Sequence, residues 1–192
     1  KEEERFKLFI NFANDLNESK LNILEIGGGN KPIYNFLKKY TNKEIFSYVL
    51  ERDDVFEKYN NKVSEKNKNQ LIYKKHIDEV EIKDFLIVYF GSSLQYLENF
   101  EDIKNKIFKN NIKYIIIFDT IFNSFDYDFY SLQVNMEPSI FPIKFLSVSN
   151  LIKEFKKNKY ELIYEKSELK NKFKHSHFEK NLTTKYMIFQ KI

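Results

Sequence analysis

The sequence predicts an α/β fold in which helices sandwich a mostly parallel sheet. Short apolar segments of strand length alternate along the chain with segments whose apolar residues recur at helical spacing. The first strand segment runs directly into three consecutive glycines and a proline, a connection typical of a strand followed by a helix. The last two strand segments have no helical segment between them, so we expect seven strands with an antiparallel final strand.

Each element follows from its local pattern. An apolar stripe over residues 5–18 predicts a helix within the N-terminal segment 1–20, and Pro32 suits the first turn of the next helix, where its missing N–H costs nothing. The predicted strands are 21–26, 45–50, 70–73, 85–90, 114–118, 161–165 and 184–190. The predicted helices are 5–18, 33–40, 54–59, 100–109 and 151–157.

Residues 121–148 contain aromatic, acidic and proline residues with no convincing period. A long irregular stretch inside a compact domain is usually functional. We therefore expect an irregular segment on the substrate side of one domain that spans 1–192. Five aromatic residues lie in it, at positions that a ligand ring could stack on: Phe122, Phe125, Tyr127, Phe129 and Tyr130.

The composition excludes several classes of protein. With 42% hydrophobic residues, 20 Phe and 13 Tyr among 192 residues, the chain can bury a full core and is not disordered. The absence of Cys excludes disulfides, thiolate metal sites and a cysteine nucleophile. The net charge of +4 comes from scattered Lys with only two Arg, which does not indicate nucleic-acid binding. Without a long apolar run or a signal peptide, we expect a cytoplasmic protein with no membrane span; the start at Lys1 rather than Met suggests a trimmed N-terminus.

Glycine carries the strongest functional signal. The chain has four glycines, of which Gly27, Gly28 and Gly29 are consecutive and follow the first strand, while Gly91 follows the fourth. Glu51 ends the second strand, at the distance from the glycines where an acid accepts hydrogen bonds from both hydroxyls of a ribose. Together these features predict a ligand that contains adenosine or a similar nucleoside.

The details of this motif favour a ligand without phosphates. The dinucleotide fingerprint requires glycine at the position of Pro32, the chain has no phosphate-binding GKS or GKT sequence, and no Arg stands nearby in the sequence to hold a pyrophosphate. S-adenosylmethionine combines adenosine with a sulfonium and an amino acid, and Glu25 would lie near its ammonium group, directly or through water.

The sequence resembles the class I S-adenosylmethionine-dependent methyltransferases in LEIGGG at 24–29 and VLE at 49–51. It is also similar, over about 21–164, to a methyltransferase family of bacterial surface-polysaccharide gene clusters. That similarity lies in GSSLQYL at 91–97, YIII at 114–117, Thr120, Gln133 and the pair Phe141 and Pro142. The chain departs from this family at three positions: it has Glu25 where Asp is common, Lys31 where Gly is usual and Asp119 where Arg is favoured.

The resemblance implies a Rossmann-like fold, S-adenosylmethionine as the cofactor, and O-methylation of a sugar in a surface polysaccharide or its nucleotide-activated precursor. The loop after the third strand, with His76 and Ile77, would flank the adenine, and Asp78 would accept from its amino group. The implied cofactor-binding residues are Glu25, Gly27, Gly28, Gly29, Glu51, Asp78, Phe90, Gly91 and Ser92. Our candidate catalytic residues are Asp119, His76, Tyr96 and Gln95, with His175 and His177 as further candidates for the general base that a hydroxyl acceptor requires.

Two other interpretations remain open at this point. A nicotinamide-dependent oxidoreductase or epimerase also uses a strand–glycine–helix turn and a ribose acid, although the chain lacks a Tyr-x-x-x-Lys pair after its middle strands. A non-catalytic binding protein of the same fold is the second alternative. We expect no metal site, because His175 and His177 have a single further His and no Cys to complete a ligand set.

Overall fold

The computed structural model describes residues 2–136, 139–168 and 179–192. Its helices are α1 (Glu2–Asp15), α2 (Ile33–Tyr40), α3 (Asp53–Asn60), α4 (Phe100–Lys109) and α5 (Val148–Lys157). Its strands are β1 (Lys20–Ile26), β2 (Glu44–Leu50), β3 (Leu71–Lys74), β4 (Ile87–Gly91), β5 (Tyr114–Asn123), β6 (Phe129–Met136), β7 (Ser139–Ser147), β8 (Tyr160–Glu168) and β9 (Leu182–Lys191).

The central sheet is parallel in the order β3-β2-β1-β4-β5. β9 pairs antiparallel with the free side of β5, and β8 pairs antiparallel with β9. The α/β fold with a mostly parallel sheet and an antiparallel final strand is therefore confirmed. The strand order reverses between β1 and β4, and ligands of open parallel sheets bind at such a point, beyond the carboxyl ends of the strands.

Hydrophobic packing on the two faces of the sheet follows the sequence pattern. The helices α1 and α2 bury residues such as Phe9 and Leu37 on one face, while α4 and α5 bury Ile103 and Phe155 on the other. The central strands β1, β4 and β5 are covered on both faces, which is why they appear in the sequence as nearly continuous apolar runs.

The prediction that residues 121–148 are irregular is wrong. β5 continues to Asn123, and residues 129–147 contain the antiparallel pair β6 and β7, which raises the number of strands among the described residues to nine. The last two residues of β5 pair in parallel with Leu146 and Ser147 of β7. The apolar residues Tyr130, Leu132 and Val134 alternate in β6 with polar residues, which is the period of a strand, and the prediction overlooked it. In the structure these three apolar side chains are exposed.

The β6–β7 hairpin has a small hydrophobic cluster of its own. Ile121, Ile143, Phe145 and Leu182 form this cluster, against which Phe129 packs, and it is separate from the clusters on the two faces of the central sheet. Next to it, β5 contains an irregularity: its register against β9 shifts between Ile117 and Thr120, and Asp119 has a φ of +55°. This bulge lies where β4 ends and the hairpin begins.

In the part of the chain that the structure describes, no helix has both the length and the apolar character needed to cross a bilayer.

Candidate functional site

The glycine loop after β1 is packed so tightly that side chains are excluded at two of its positions. A Cβ at Gly27 would lie 2.6 Å from the Cβ of Ser93, and one at Gly28 would lie 2.7 Å from the Cδ of Glu25. At Gly29 a Cβ would meet no atom within 4 Å, but its φ of +58° favours glycine. The first two glycines therefore pack the loop against its neighbours, and the third leaves open space above the backbone.

Glu25 is buried beneath this loop. Its Oε2 accepts a hydrogen bond of 2.8 Å from the backbone N–H of Ile33, so the carboxylate caps the first turn of α2. Burial raises the pKa of Glu25 to about 8; the guanidinium of Arg5 opposes the rise and the carboxylate of Glu51 adds to it. The loop thus covers an acid whose charged form is costly until a cation approaches it.

Glu51 and Tyr73 hold the third glycine from the neighbouring strands. The Oε1 of Glu51 accepts a hydrogen bond from the N–H of Gly29, and the hydroxyl of Tyr73 donates to the carbonyl oxygen of Gly29 over 3.0 Å. Burial raises the pKa of Glu51, while its backbone hydrogen bonds lower it. The ends of β2 and β3 therefore converge on the open side of the glycine loop. The sequence motifs do not predict the contact of Tyr73 with Gly29. Its position near the end of a short strand was the available indication that Tyr73 lies at the site.

The turn after β4 contacts the glycine loop from the other side. Ser93 donates its hydroxyl proton to the carbonyl oxygen of Ile26, and the N–H of Ser92, with a φ of +64°, donates to the carbonyl oxygen of Phe118 over 2.9 Å. At Gly91 a Cβ would lie 2.6 Å from the hydroxyl of Tyr89. Gly91 therefore leaves no room for a side chain beside Tyr89, and hydrogen bonds tie the turn to the ends of β1 and to β5.

Gln95 and Tyr96 follow in a 3-10 turn. Gln95 is buried, its Nε2 donates to the carbonyl oxygen of Ser92 over 3.2 Å, and its Oε1 accepts no hydrogen bond from the described residues. Tyr96 is exposed, and its hydroxyl donates to the Oε1 of Gln133 on β6 over 2.7 Å. This hydrogen bond connects the inner face of the hairpin to the turn after β4.

Arg5 is a residue of this site that the sequence analysis missed. It belongs to α1, and its Nη1 donates to the carbonyl oxygen of Gly91 over 2.9 Å. Its Nε is buried and has no hydrogen-bond partner among the described residues. The motif does not predict this contact, because 86 residues separate Arg5 from Gly91; the available signal is that Arg5 is one of two arginines in a lysine-rich chain.

Asp119 lies at the same end of the sheet. It follows Phe118, which pairs with Gly91, and the bulge turns its backbone into the left-handed region. Burial raises the pKa of the Tyr89 hydroxyl, the Arg5 guanidinium opposes this rise, and the negative charges of Glu25 and Asp119 add to it. The carboxylates of Glu25 and Asp119 and the guanidinium of Arg5 therefore all lie near the Tyr89 hydroxyl.

His76 lies at the carboxyl ends of the strands but far from the end of β4. His76 follows β3, which is three strands from β4, or about 14 Å at the usual spacing of strands. Its side chain is exposed, and its backbone N–H donates to the carboxylate of Glu79 over 2.9 Å. Asp78, in the 3-10 turn Ile77–Glu79, is exposed and ion-paired with Lys106 of α4.

Three predicted residues remain, Phe90, His175 and His177. The side chain of Phe90 packs edge-on against Phe100 in the core, so only its backbone faces the site. His175 and His177 lie outside the described residues. Among the described residues, no group of three or more His, Cys, Asp or Glu side chains could hold a metal ion.

Comparison with solved structures shows the same fold in S-adenosylmethionine-dependent methyltransferases. A Listeria monocytogenes protein designated an S-adenosylmethionine-dependent methyltransferase superposes with a TM-score of 0.69 at 11% identity, covering 98% of this chain and 99% of its own. The N-terminal domain of EvdMO1, solved with S-adenosylhomocysteine (SAH) and D-fucose, has a TM-score of 0.65 at 11% identity, with 98% and 82% covered.

The glycopeptide N-methyltransferase MtfA, complexed with S-adenosylmethionine, has a TM-score of 0.59 at 9% identity, with 97% and 92% covered. No protein-family model and no curated protein matches the sequence. At these identities the likeness establishes the fold: the chain has the Rossmann-like fold found in class I methyltransferases.

Proposed function

We propose that this protein is a methyltransferase that uses S-adenosylmethionine. The observation that carries the proposal is the arrangement around the glycine loop, where Glu25 and Glu51 stand at the carboxyl ends of adjacent strands and Arg5 reaches the end of β4. An acid for a ribose, an acid for an ammonium and a cation for a carboxylate are the groups that adenosine joined to an amino acid requires.

The residues present fit this cofactor. Glu51 would accept from the ribose hydroxyls beside the open space at Gly29, and Glu25 would face the ammonium group. The buried Nε of Arg5, which lacks a partner among the described residues, would donate to the carboxylate. When bound, the cofactor supplies an activated methyl group on a sulfonium.

The acceptor side is formed by the turn after β4 and the inner face of the hairpin. Gln95 offers a buried amide oxygen as an acceptor, and the hydrogen-bonded pair of Tyr96 and Gln133 lines the approach. Asp119, at the bulge of β5, would take the proton from an acceptor hydroxyl, whereas His76 follows β3, three strands from β4. Orienting the acceptor in this way supplies much of the acceleration in displacement reactions.

We further propose that the acceptor is a sugar hydroxyl, in a surface polysaccharide or its nucleotide-activated precursor. Exposed rings at Tyr96 and Phe141 flank the polar side chains of Gln95 and Gln133, a mixture that suits the apolar faces and hydroxyls of a sugar. The sequence resemblance described above supports the same substrate class, and one protein of similar fold was solved with D-fucose.

Calorimetric titration with SAH, with NAD as the comparison ligand, tests the cofactor. The wild-type protein should bind SAH saturably, and Glu51→Ala should weaken binding roughly 10- to 150-fold, since hydrogen bonds to a charged group contribute about 1.5–3 kcal/mol. Glu57→Ala, on the exposed surface of α3, is the matched control and should bind as the wild type does. Binding of NAD alone would instead establish redox or epimerase chemistry, and binding of neither ligand would favour a non-catalytic role.

Methyl transfer from labelled S-adenosylmethionine to a panel of sugars and nucleotide-linked sugars tests the acceptor. Asp119→Asn should reduce turnover roughly 10²- to 10⁴-fold, the usual contribution of a general base, with little change in SAH affinity. Binding of SAH without turnover on any acceptor in the panel would contradict the sugar proposal but not the cofactor site. A large loss of SAH affinity in Asp119→Asn would remove Asp119 from the catalytic role.

A further inference from the structure

The five residues between β5 and β6 present an exposed aromatic ring. They are residues 124–128, with the sequence Ser-Phe-Asp-Tyr-Asp, and we call them the aromatic loop. Tyr127 is 52% exposed, and its ring stacks on that of Phe125 with the centroids 5.3 Å apart and 7° between the planes. The ring of Phe129, at the start of β6, has its centroid 6.5 Å from that of Tyr127. The Tyr127 ring is therefore supported by other rings and is still half exposed.

Hydrogen bonds from three neighbouring side chains fix the backbone of the aromatic loop. The Nδ2 of Asn123 donates to the carbonyl oxygen of Tyr127 over 3.2 Å, and the hydroxyl of Ser147 donates to that of Phe125 over 2.6 Å. The Nδ2 of Asn150 donates to the carbonyl oxygen of the residue between them over 2.6 Å. Asn123 and Ser147 are both buried. Because the backbone of the loop is already ordered, a ligand that stacks on Tyr127 loses little affinity to the ordering of the loop.

The inner face of the hairpin connects the aromatic loop to the proposed acceptor side. Phe129, Ser131 and Gln133 alternate along β6 and therefore share one face, and Gln133 accepts the hydrogen bond from Tyr96. Phe129 and Gln133 are four residues apart, or about 13 Å at the rise of a β-strand. The Tyr127 ring lies beyond Phe129, at the end of this face that is remote from Tyr96. A single sugar ring is too short to contact both tyrosines, whereas a chain of sugars is long enough.

The charges of the aromatic loop suit a neutral sugar. The loop has two carboxylates, Asp126 and Asp128, and no Lys or Arg. Asp128 lies 3.0 Å from the ammonium of Lys144, whereas Asp126 is exposed. The apolar face of a sugar can stack on Tyr127 while its hydroxyls donate to the carboxylate of Asp126. The phosphate groups of a nucleotide-activated sugar would instead be repelled by the negative charge of Asp126.

We propose that the acceptor is a chain of sugars, of which the reacting unit lies beside Gln95 and Tyr96 while a unit further along the chain stacks on Tyr127. This inference rests on the proposed function, because it assigns a second contact to the same acceptor. The contact with the remote unit orients the reacting unit, so its binding energy contributes to turnover as well as to affinity. A single sugar lacks this contact and is the poorer substrate.

Methyl transfer from labelled S-adenosylmethionine to monosaccharides and to longer oligosaccharides of the same sugars tests the second contact. In the wild type, kcat/KM should rise with chain length. Tyr127→Ala should lower kcat/KM roughly tenfold on the longer acceptors and leave it unchanged on the monosaccharides. Tyr127→Phe keeps the ring and should keep the rise. Tyr40→Ala, at the 53% exposed Tyr40 of α2, is the matched control and should behave as the wild type does. Equal kcat/KM on short and long acceptors would overturn the proposal.

Binding of the same oligosaccharides, measured by ligand-observed NMR without cofactor, separates this inference from the proposed function. Circular dichroism and thermal unfolding first show that each variant is folded. Oligosaccharide binding that Tyr127→Ala weakens, in a protein that does not bind SAH, would support the sugar contact and contradict the proposed function. Binding of SAH with methylation of nucleotide-linked monosaccharides alone would support the proposed function and overturn this inference. A wild type that binds none of the oligosaccharides would overturn it as well.

Discussion

The buried carboxyl of Glu25 predicts an unusual pH dependence of stability. Because burial raises its pKa from an ordinary 4.5 to about 8, the folded protein holds a proton on this group that the unfolded chain has already released. The unfolding free energy should therefore fall by about 1.4 kcal/mol for each pH unit between pH 4.5 and pH 8. The loss of stability caused by Glu25 is absent below pH 4.5, reaches roughly 3 kcal/mol at pH 7 and no longer increases above pH 8.

Glu25→Gln removes the ionisation but keeps a carbonyl oxygen that can accept from the N–H of Ile33. Urea unfolding, followed by circular dichroism from pH 5 to pH 8, should show the difference in stability between the variant and the wild type rising with pH in favour of the variant. The change of this difference with pH tests the reasoning, because the N–H groups of the new glutamine alter the stability by the same amount at every pH. Glu44→Gln, on the exposed start of β2, should leave the slope unchanged. Parallel profiles for Glu25→Gln and the wild type would refute the reasoning, because they would show that the carboxyl ionises normally in the folded protein.

Three further substitutions test the packing around the site. Gly28→Ala places a Cβ 2.7 Å from the Cδ of Glu25, so the loop must shift. Calorimetry should then show SAH binding at least about tenfold weaker than in the wild type. An unchanged affinity would exclude the loop from the cofactor site. Tyr96→Phe loses the hydrogen bond to Gln133. Steady-state kinetics should show a severalfold higher KM for the acceptor, while the affinity for SAH stays unaltered. A changed affinity for SAH would show that Tyr96 belongs to the cofactor side of the site. Ser147→Ala removes the side-chain cap of α5 and should lower the unfolding free energy, measured by urea titration, by about 1 kcal/mol. An unchanged urea midpoint of unfolding would mean that the cap does not contribute to stability.

The parts of the fold that could be predicted are those whose cause is local. The strand into Gly27, the helix after Pro32 and the acid at Glu51 each follow from a requirement of a few consecutive residues, and the structure places all three together. The position of a strand in the sheet, by contrast, is set by contacts between distant parts of the chain. His76 follows β3, and the strand order keeps it three strands from β4, whereas Asp119 lies at the bulge of β5, next to the residue that pairs with Gly91 at the end of β4.

Arg5 and the hairpin show why the remainder could not be read from the sequence. The contact of Arg5 with Gly91 depends on how α1 packs across the sheet, which no spacing along the chain records. In β6 the apolar residues Tyr130, Leu132 and Val134 alternate with polar ones, so the period of a strand was present in the sequence and was overlooked. What could not be predicted is that the apolar set is the exposed one, because the solvent face of an antiparallel pair is ordinarily polar.

The separate hydrophobic cluster of the hairpin has a consequence for how this protein can change over generations. The hairpin joins the central sheet through two paired residues at the end of β5, and Ile143 and Phe145 pack outside the two main cores. Apart from Leu146, which packs in a main core, and Ser147, which caps α5, its sequence can therefore vary without disturbing the packing that holds the glycine loop and its acids. A lineage could exchange the rest of the hairpin, and with it the proposed acceptor, while keeping the same cofactor machinery.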